Sequence, residues 1–238
     1  MIHKLIFVNA RPRMSQSAFE RHWKEVHAVE FGSKIPQVRG YLIDTCFPCG
    51  PQQDAPLFNG VAEVWLENER EELAFFQSHE YVEGARRDEP RFLAFWQTLA
   101  LDTTAHLIMS EESPQQEFAW IKLLLAVKRK PGMALEAFRD YSLDTHASHI
   151  LQLPGLRRYM QCHTNDSHYL LGEAPLDCVS QLWFDSIEAL ERALASTEYA
   201  ALKTDWTHFV DTKYLHRLAA REYWVIVPEV RHPIAHAA

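Results

Sequence analysis

Thirteen histidines among 238 residues supply most of the groups in this chain that exchange protons near neutral pH. Three sit where chemistry could be built. His163 follows Tyr159 and Gln161 at alternate positions, and alternation of two puts residues on one face of a strand. A phenol, an amide and an imidazole in a row suit a pocket for a polar aromatic molecule. Tyr159 and Gln161 would orient its oxygens and His163 would move a proton. The corresponding face in the first half is Tyr41, Ile43 and Thr45, a phenol followed by apolar bulk. His27 and His146 form a second set, each late in an amphipathic segment. Two readings stand for them: acid/base catalysis, or a fixed bond that ties a helix to its sheet. For His163 the alternative is a solvated strand end beside Asn165 and Asp166. Trp65 and Trp183 recur beside Glu63 and Gln181 and serve either as core or as walls of an aromatic pocket. Glu63, if it points inward, is a candidate general base with a pKa raised by burial. Asn9 shares a face with Leu5 and Phe7.

Other chemistries find little support. The eight glycines never form GxGxxG, and no Gly-x-Ser-x-Gly elbow occurs. Cys46-Phe-Pro-Cys49 has CxxC spacing but no second pair follows, so it reads as two incidental loop cysteines. His146 and His149 stand three apart, a possible but weak metal pair, so neither a metal nor another cofactor is expected. The net charge of −8 divides evenly. Residues 1–110 hold 11 basic against 15 acidic side chains and residues 111–238 hold 13 against 17, −4 in each half. That balance argues against a nucleic-acid partner. No apolar run reaches the ~18 residues of a membrane helix, and the N-terminus lacks a signal-peptide pattern. A cytoplasmic protein with a small-molecule substrate is the expectation.

The elements that must position these residues occur twice. Pro12, Met14, Phe19 and His27 recur as Pro131, Met133, Phe138 and His146, shifted by 119. Pro36, Arg39, Tyr41, Val61, Trp65 and Tyr81 recur as Pro154, Arg157, Tyr159, Val179, Trp183 and Tyr199, shifted by 118. Two repeats are therefore expected, 1–110 and 117–230, with a polar linker over Ser110–Gln116 and a loosely ordered tail at 231–238. Each reads strand, helix, strand, strand, helix, strand. The strands lie near His3–Asn9, Arg39–Phe47, Val61–Leu66 and Ala105–Met109 in copy one. In copy two they lie near Ile121–Lys128, Arg157–Thr164, Val179–Phe184 and Tyr223–Val227. Ser15 is placed to cap the first helix, with Met14 and Phe19 as a hydrophobic staple. The helix faces are expected to be Phe19, Trp23, Val26 and Phe138, Tyr141, Thr145. The second helices start near Glu69 and Ser186, with a break at Ser78 to Tyr81 and at Ser196 to Tyr199. This order implies α+β repeats of the ferredoxin-like β-α-β-β-α-β type, each with an antiparallel sheet and both helices on one face. The bare faces of the two sheets would cover each other, closing an α+β barrel within one chain, with the pocket between the sheets.

The segment Arg11-Pro12-Arg13-Met14-Ser15 through Phe19-Glu20-Arg21-His22-Trp23-Lys24-Glu25-Val26-His27-Ala28 resembles the N-terminal signature of EthD-like domains. Those domains belong to the dimeric α+β barrel superfamily. Copy two matches through Lys130-Pro131-Gly132-Met133, Phe138, His146-Ala147 and Leu153-Pro154-Gly155-Leu156-Arg157-Arg158-Tyr159. It departs where Trp23 becomes Ser142. The resemblance implies a barrel of two sheets and small aromatic, lactone or polyketide substrates, handled by decarboxylases, cofactor-independent monooxygenases or isomerases. The resulting expectation is a cofactor-independent lyase or isomerase. His163, His146 or His27 would act with Tyr159, and Tyr41, Gln161, Trp65, Trp183, Glu63 and Asn9 would bind. A non-catalytic binding protein and a haem barrel with His27 or His146 as axial ligand are the alternatives, and pairing of tandem chains into a homodimer is left open.

Overall fold

The computed structural model describes residues 1–50, 55–110 and 120–228. The tail 231–238, the linker after Ser110 and residues 51–54 of the Pro-rich loop lie outside the described residues.

The first copy contributes β1 (Ile2–Val8), β2 (Val38–Phe47), β3 (Gly60–Leu66) and β4 (Leu99–Ser110). The second contributes β5 (Ile121–Arg129), β6 (Leu156–Thr164), β7 (Cys178–Phe184) and β8 (Val210–Ile226). The eight strands close into one antiparallel barrel in the order β1-β3-β2-β8-β5-β7-β6-β4. Each copy thus keeps the ferredoxin-like order, and β2–β8 and β4–β6 pairs join the two sheets. The fourth strands are longer than their sequence pattern suggested, because each serves two partners. Leu99–Thr103 of β4 pairs with β1, and Thr103–Ser110 crosses to β6. Val210–Arg221 of β8 pairs with β5, and Ala219–Ile226 crosses to β2. The anticipated spans caught only the crossing ends. Closure leaves no unpaired sheet edge among the described strands.

Helices pack outside the barrel. Copy one has α1 (Gln16–Arg21), running on as a π-helix over His22–Phe31, then α2 (Glu69–Gln77), a π-helical turn at Glu80–Ala85 and α3 (Arg86–Phe92). Copy two has α4 (Leu135–Asp140), a π-helix over Tyr141–His146, α5 (Ala147–Ile150), α6 (Ile187–Leu194) and α7 (Thr197–Phe209). The Ser15 hydroxyl accepts from the Ala18 amide at 3.2 Å and Met14 packs against the core around Phe19, as the cap and staple require. Ala134 caps α4 without a side-chain bond. Ser78 and Ser196 mark the break in each second helical region, accepting from the amides of Tyr81 and Tyr199.

The π-helical segments change which residues face the sheet. Turns closed by i→i+5 bonds hold more residues than the 3.6 of an α-helix. Side chains every four positions then stay on one face. Phe19, Trp23 and His27 are buried, as are Phe138, Ser142 and His146, whereas Val26 is only partly buried and Thr145 is exposed. The expected α-helical stripe is therefore corrected at Val26 in copy one and at Tyr141 and Thr145 in copy two, and in each copy the correction brings a histidine inward. No helix among the described residues is long and apolar enough to cross a membrane.

Candidate active site

Strand parity divides the expected site residues among three places. On β1, β3, β5 and β7 the inward set is His3, Leu5 and Phe7; Val61, Glu63 and Trp65; Lys122, Leu124 and Ala126; Val179, Gln181 and Trp183. This space between the sheets was the expected pocket, but it is packed. Leu5, Phe7, Leu101, Leu124, Cys162, Val179 and Leu218 fill its middle. Beside them lies an ionic cluster. The fully buried Lys122 ammonium bonds Glu63 at 2.6 Å, Asp44 at 3.1 Å and Glu222 at 2.5 Å. His3 Nε2 bonds Glu63 at 2.7 Å, and Gln181 donates to the same carboxylate at 3.1 Å. Trp183 donates to Glu222 at 2.9 Å, and Trp65 stacks on His3 and Trp224.

Glu63 does point inward, but its predicted upward shift is corrected. Burial works to raise it, and the charge of Lys122 with the bond from His3 outweighs burial and holds it well below the ordinary carboxylate range. A carboxylate so paired is a poor base. Asn9 is a strand-end tether, its Oδ1 accepting from the Asn59 amide at 3.3 Å.

Tyr159, Gln161 and His163 do share a face, but it is the face turned to the helices, since Cys162 points into the barrel. Gln161 donates to the Tyr159 hydroxyl at 2.6 Å and to the Ser142 carbonyl at 2.8 Å, and its Oε1 lies 2.9 Å from His163 Nε2. This chain of bonds occupies the space that the first copy gives to Trp23. Burial, then the charges of His106 and Arg139, push His163 down to about 3, so its ring is neutral across the physiological range. His146 Nδ1 bonds Asp205 at 2.6 Å, and the ring packs on Phe209. Burial opposes ionisation of Asp205, but bonds from His146 and Tyr141 prevail and hold it at about 2. Around this pair, Leu182, Tyr199, Leu202 and Trp206 fill the sheet–helix layer.

The first copy's sheet–helix layer contains a cavity of about 290 Å³. Its walls are apolar, with Ile6, Ile35, Val64, Phe75 and Phe92 among them. Besides the ion-paired Lys4, five groups give it chemistry: His27, Tyr41, Tyr81, Arg86 and Glu89. His27 is brought in by the π-helix, and its Nδ1 lies 3.1 Å from an Asp88 carboxylate oxygen. A carboxylate accepts, so in the neutral ring Nδ1 carries the proton and Nε2 keeps a lone pair for a ligand. Asp88 is buried and also bonded by His22 Nε2 at 3.0 Å. Burial would raise Asp88, but the bonds from His27 and His22 hold it below its ordinary value.

Trp23 Nε1 donates to the Tyr41 hydroxyl at 2.8 Å, fixing that phenol at the inner end. The Tyr41 ring leaves no room for a side chain at Gly32, where an added Cβ would lie 2.8 Å from its Cε1. Burial, then the charge of Glu89, raise Tyr41, so it acts as a neutral hydroxyl. Burial lifts Glu89 itself to about 7, Asp88 adding to the effect and Arg86 opposing it. A carboxyl of this kind is both acid and base near neutral pH.

Of the expected residues, then, the structure brings His27 and Tyr41 together. Asp88, Glu89, Trp23, Tyr81 and Arg86 were missed. The repeat did carry one signal for Asp88: Asp88-x-x-x-Phe92 recurs as Asp205-x-x-x-Phe209. A tetrapyrrole does not fit the described arrangement. The first cavity, about 290 Å³, stands at the lower end of the ~300–1,000 Å³ usual for small-molecule sites and is too small for a tetrapyrrole, and His146 does not line the cavity of the second copy.

Residues 11–95 and 130–213 each match the EthD domain. A curated protein named decarboxylase from Claviceps purpurea (strain 20.1) is 32% identical over 119 residues, 44% of this chain and 84% of that protein. Among solved structures, an anthrone oxidase-like protein superposes with a TM-score of 0.65 at 10% identity, over 100% of this chain and 96% of the other. A variant of chlorite dismutase from Candidatus Nitrospira defluvii gives 0.50 at 9% identity, over 92% and 91%. At these identities the structural likeness is one of fold.

Proposed function

Because the chain belongs to the EthD family, and its first copy holds a carboxylate-oriented imidazole on an apolar cavity, we propose that it is a small-molecule enzyme working by proton transfer. The substrate is a small aromatic, lactone or polyketide-like acid, and no cofactor takes part. The observation that carries this reading is His27, buried, held at Nδ1 by Asp88 and lining the cavity. The base–orienter pair gives the ring one tautomer and one direction.

Decarboxylation is the form of the reaction favoured by the name of the Claviceps relative. The bond between the substrate's carbon skeleton and its carboxylate breaks, CO₂ leaves with the carboxylate oxygens, and the electron pair left on carbon takes a proton. Glu89, titrating near 7, supplies that proton. His27 Nε2 holds or removes the proton of a substrate hydroxyl, and the Tyr41 hydroxyl donates to the oxygen on which charge builds. In an isomerisation the same groups take a proton from one carbon and return it to another.

The deciding experiment incubates the purified chain with a panel of hydroxylated aromatic acids and lactones and follows CO₂ and product by mass spectrometry. Turnover that disappears in Glu89→Ala supports the reading. Ligand-dependent melting without product would replace catalysis by binding.

A further inference from the structure

The charges lining the cavity are unevenly matched. The Lys4 ammonium is paired with Glu72 at 2.6 Å and with Asp102. Arg86 has no ion pair among the described residues, and its side chain makes one hydrogen bond, to the Tyr81 hydroxyl at 3.1 Å. Glu89, one turn further along α3, is near enough to feel the guanidinium but makes no bond to it, and it is largely uncharged below about pH 7. The Tyr81 ring is fixed by Phe75 and Phe76, with centroids at 4.7 and 5.5 Å. Arg86 is exposed, whereas Tyr41, Trp23 and His27 are buried. The cavity therefore has a cation at its rim, an apolar middle, and a hydroxyl with an imidazole at its inner end. Copy two keeps a cation at the corresponding place, Lys203 over the Tyr199 ring, on a cavity that neither His146 nor Tyr159 lines.

We propose that Arg86, steadied by Tyr81, anchors the carboxylate of the ligand at the rim. The ligand is then an aromatic acid that enters with its hydroxyl- or carbonyl-bearing end first. A guanidinium fork suits a carboxylate and gives it both charge and direction. Loss of the carboxylate as CO₂ would remove the anchored charge, so the product would be held less tightly than the substrate. The assignment rests on the cavity being the substrate site.

The experiment is calorimetric titration of the full chain with 4-hydroxybenzoate and with its neutral isostere 4-hydroxybenzamide at pH 6. The wild-type protein is expected to prefer the acid by about tenfold or more, the scale of one charge-assisted fork. Arg86→Gln is expected to erase the preference while leaving the affinity for the amide within about twofold. Equal affinity of the wild-type protein for the two compounds would overturn the anchor and leave the cavity's role intact. A preference that survives in Arg86→Gln would overturn it as well. If neither compound bound the wild-type protein at millimolar concentration, this assignment and the functional reading beneath it would both fall.

Discussion

Glu89 and Trp206 stand at the same place in the two copies. Each follows the aspartate that holds the buried histidine, and each precedes by three the phenylalanine packed on that histidine. In the first copy a titratable carboxyl lines a cavity. In the second an indole stands there instead, packed edge-on against Tyr199 with ring centroids at 5.6 Å, and the cavity of that copy, about 480 Å³, is lined by Leu123, Leu194, Lys203 and Leu215 and not by His146. That exchange replaces a titratable carboxyl beside the buried histidine by an apolar ring. Glu89→Trp is predicted to close the first cavity. Titration with a bound ligand should show binding lost, with circular dichroism and melting unchanged or improved. Undiminished binding would mean that the ligand sits elsewhere.

The same carboxyl sets a pH dependence. Glu89 is raised to about 7 in the folded chain, so it is protonated below that value and negative above it. An anionic ligand should bind well at pH 6 and more weakly as pH rises through 7, because Glu89 then repels it. Glu89→Gln should flatten that profile while retaining binding at pH 6. Affinity measured from pH 5 to 9 checks both. A profile that keeps its step in Glu89→Gln assigns the titration to another group.

The ionic cluster inside the barrel has a different task. Lys122 from copy two meets Asp44 and Glu63 from copy one, all three buried, and the partly buried Glu222 from β8. Removing one member of a buried ion pair leaves its partners uncompensated, at a cost of about 3–5 kcal/mol. Lys122→Met should therefore lower stability by that order in urea unfolding, without a direct effect on the distant cavity. A melting point equal to wild type would show that the carboxylates are protonated and do not need the lysine.

His163 supplies an acid sensitivity. Its folded pKa is depressed to about 3 from an ordinary value near 6.5. The unfolded chain therefore binds a proton that the folded chain refuses, and stability falls as pH drops below about 6.5. His163→Gln keeps an amide donor for Gln161 and removes that proton. Acid unfolding should move to lower pH in this variant. No movement would place the acid sensitivity at other groups, such as the Asp205 pair.

Most of the scaffold was legible because it was written twice. Paired prolines, the Met14–Phe19 staple and the recurring tryptophans placed the repeats, the strand order and the barrel. The site was less legible, for two physical reasons. A strand's period of two states which residues share a face but not which face looks inward, so Tyr159, Gln161 and His163 were grouped correctly and assigned to the wrong side. The π-helical turns then put His27 and His146, named from the sequence as late in each helix, on the buried face in place of Val26 and Thr145, which an α-helical period does not show. The divergence between the copies did carry information. Its message lies in Glu89 against Trp206 and Trp23 against Ser142, on the helices, more than in Ile43 and Thr45 against Gln161 and His163 on the strands.

The central claim is that catalysis belongs to His27 in the first copy and that His146 holds the second copy together. Both histidines bond a buried aspartate through Nδ1, so their neutral variants make a matched pair. The most direct measurement compares kcat of His27→Gln and His146→Gln on the best substrate of the panel, below the melting point of either. The account predicts a loss of about a hundredfold or more for His27→Gln, the usual range for a general acid or base. His146→Gln should keep near-normal kcat with a lowered melting temperature. Full activity in His27→Gln, or its loss only in His146→Gln, would contradict it.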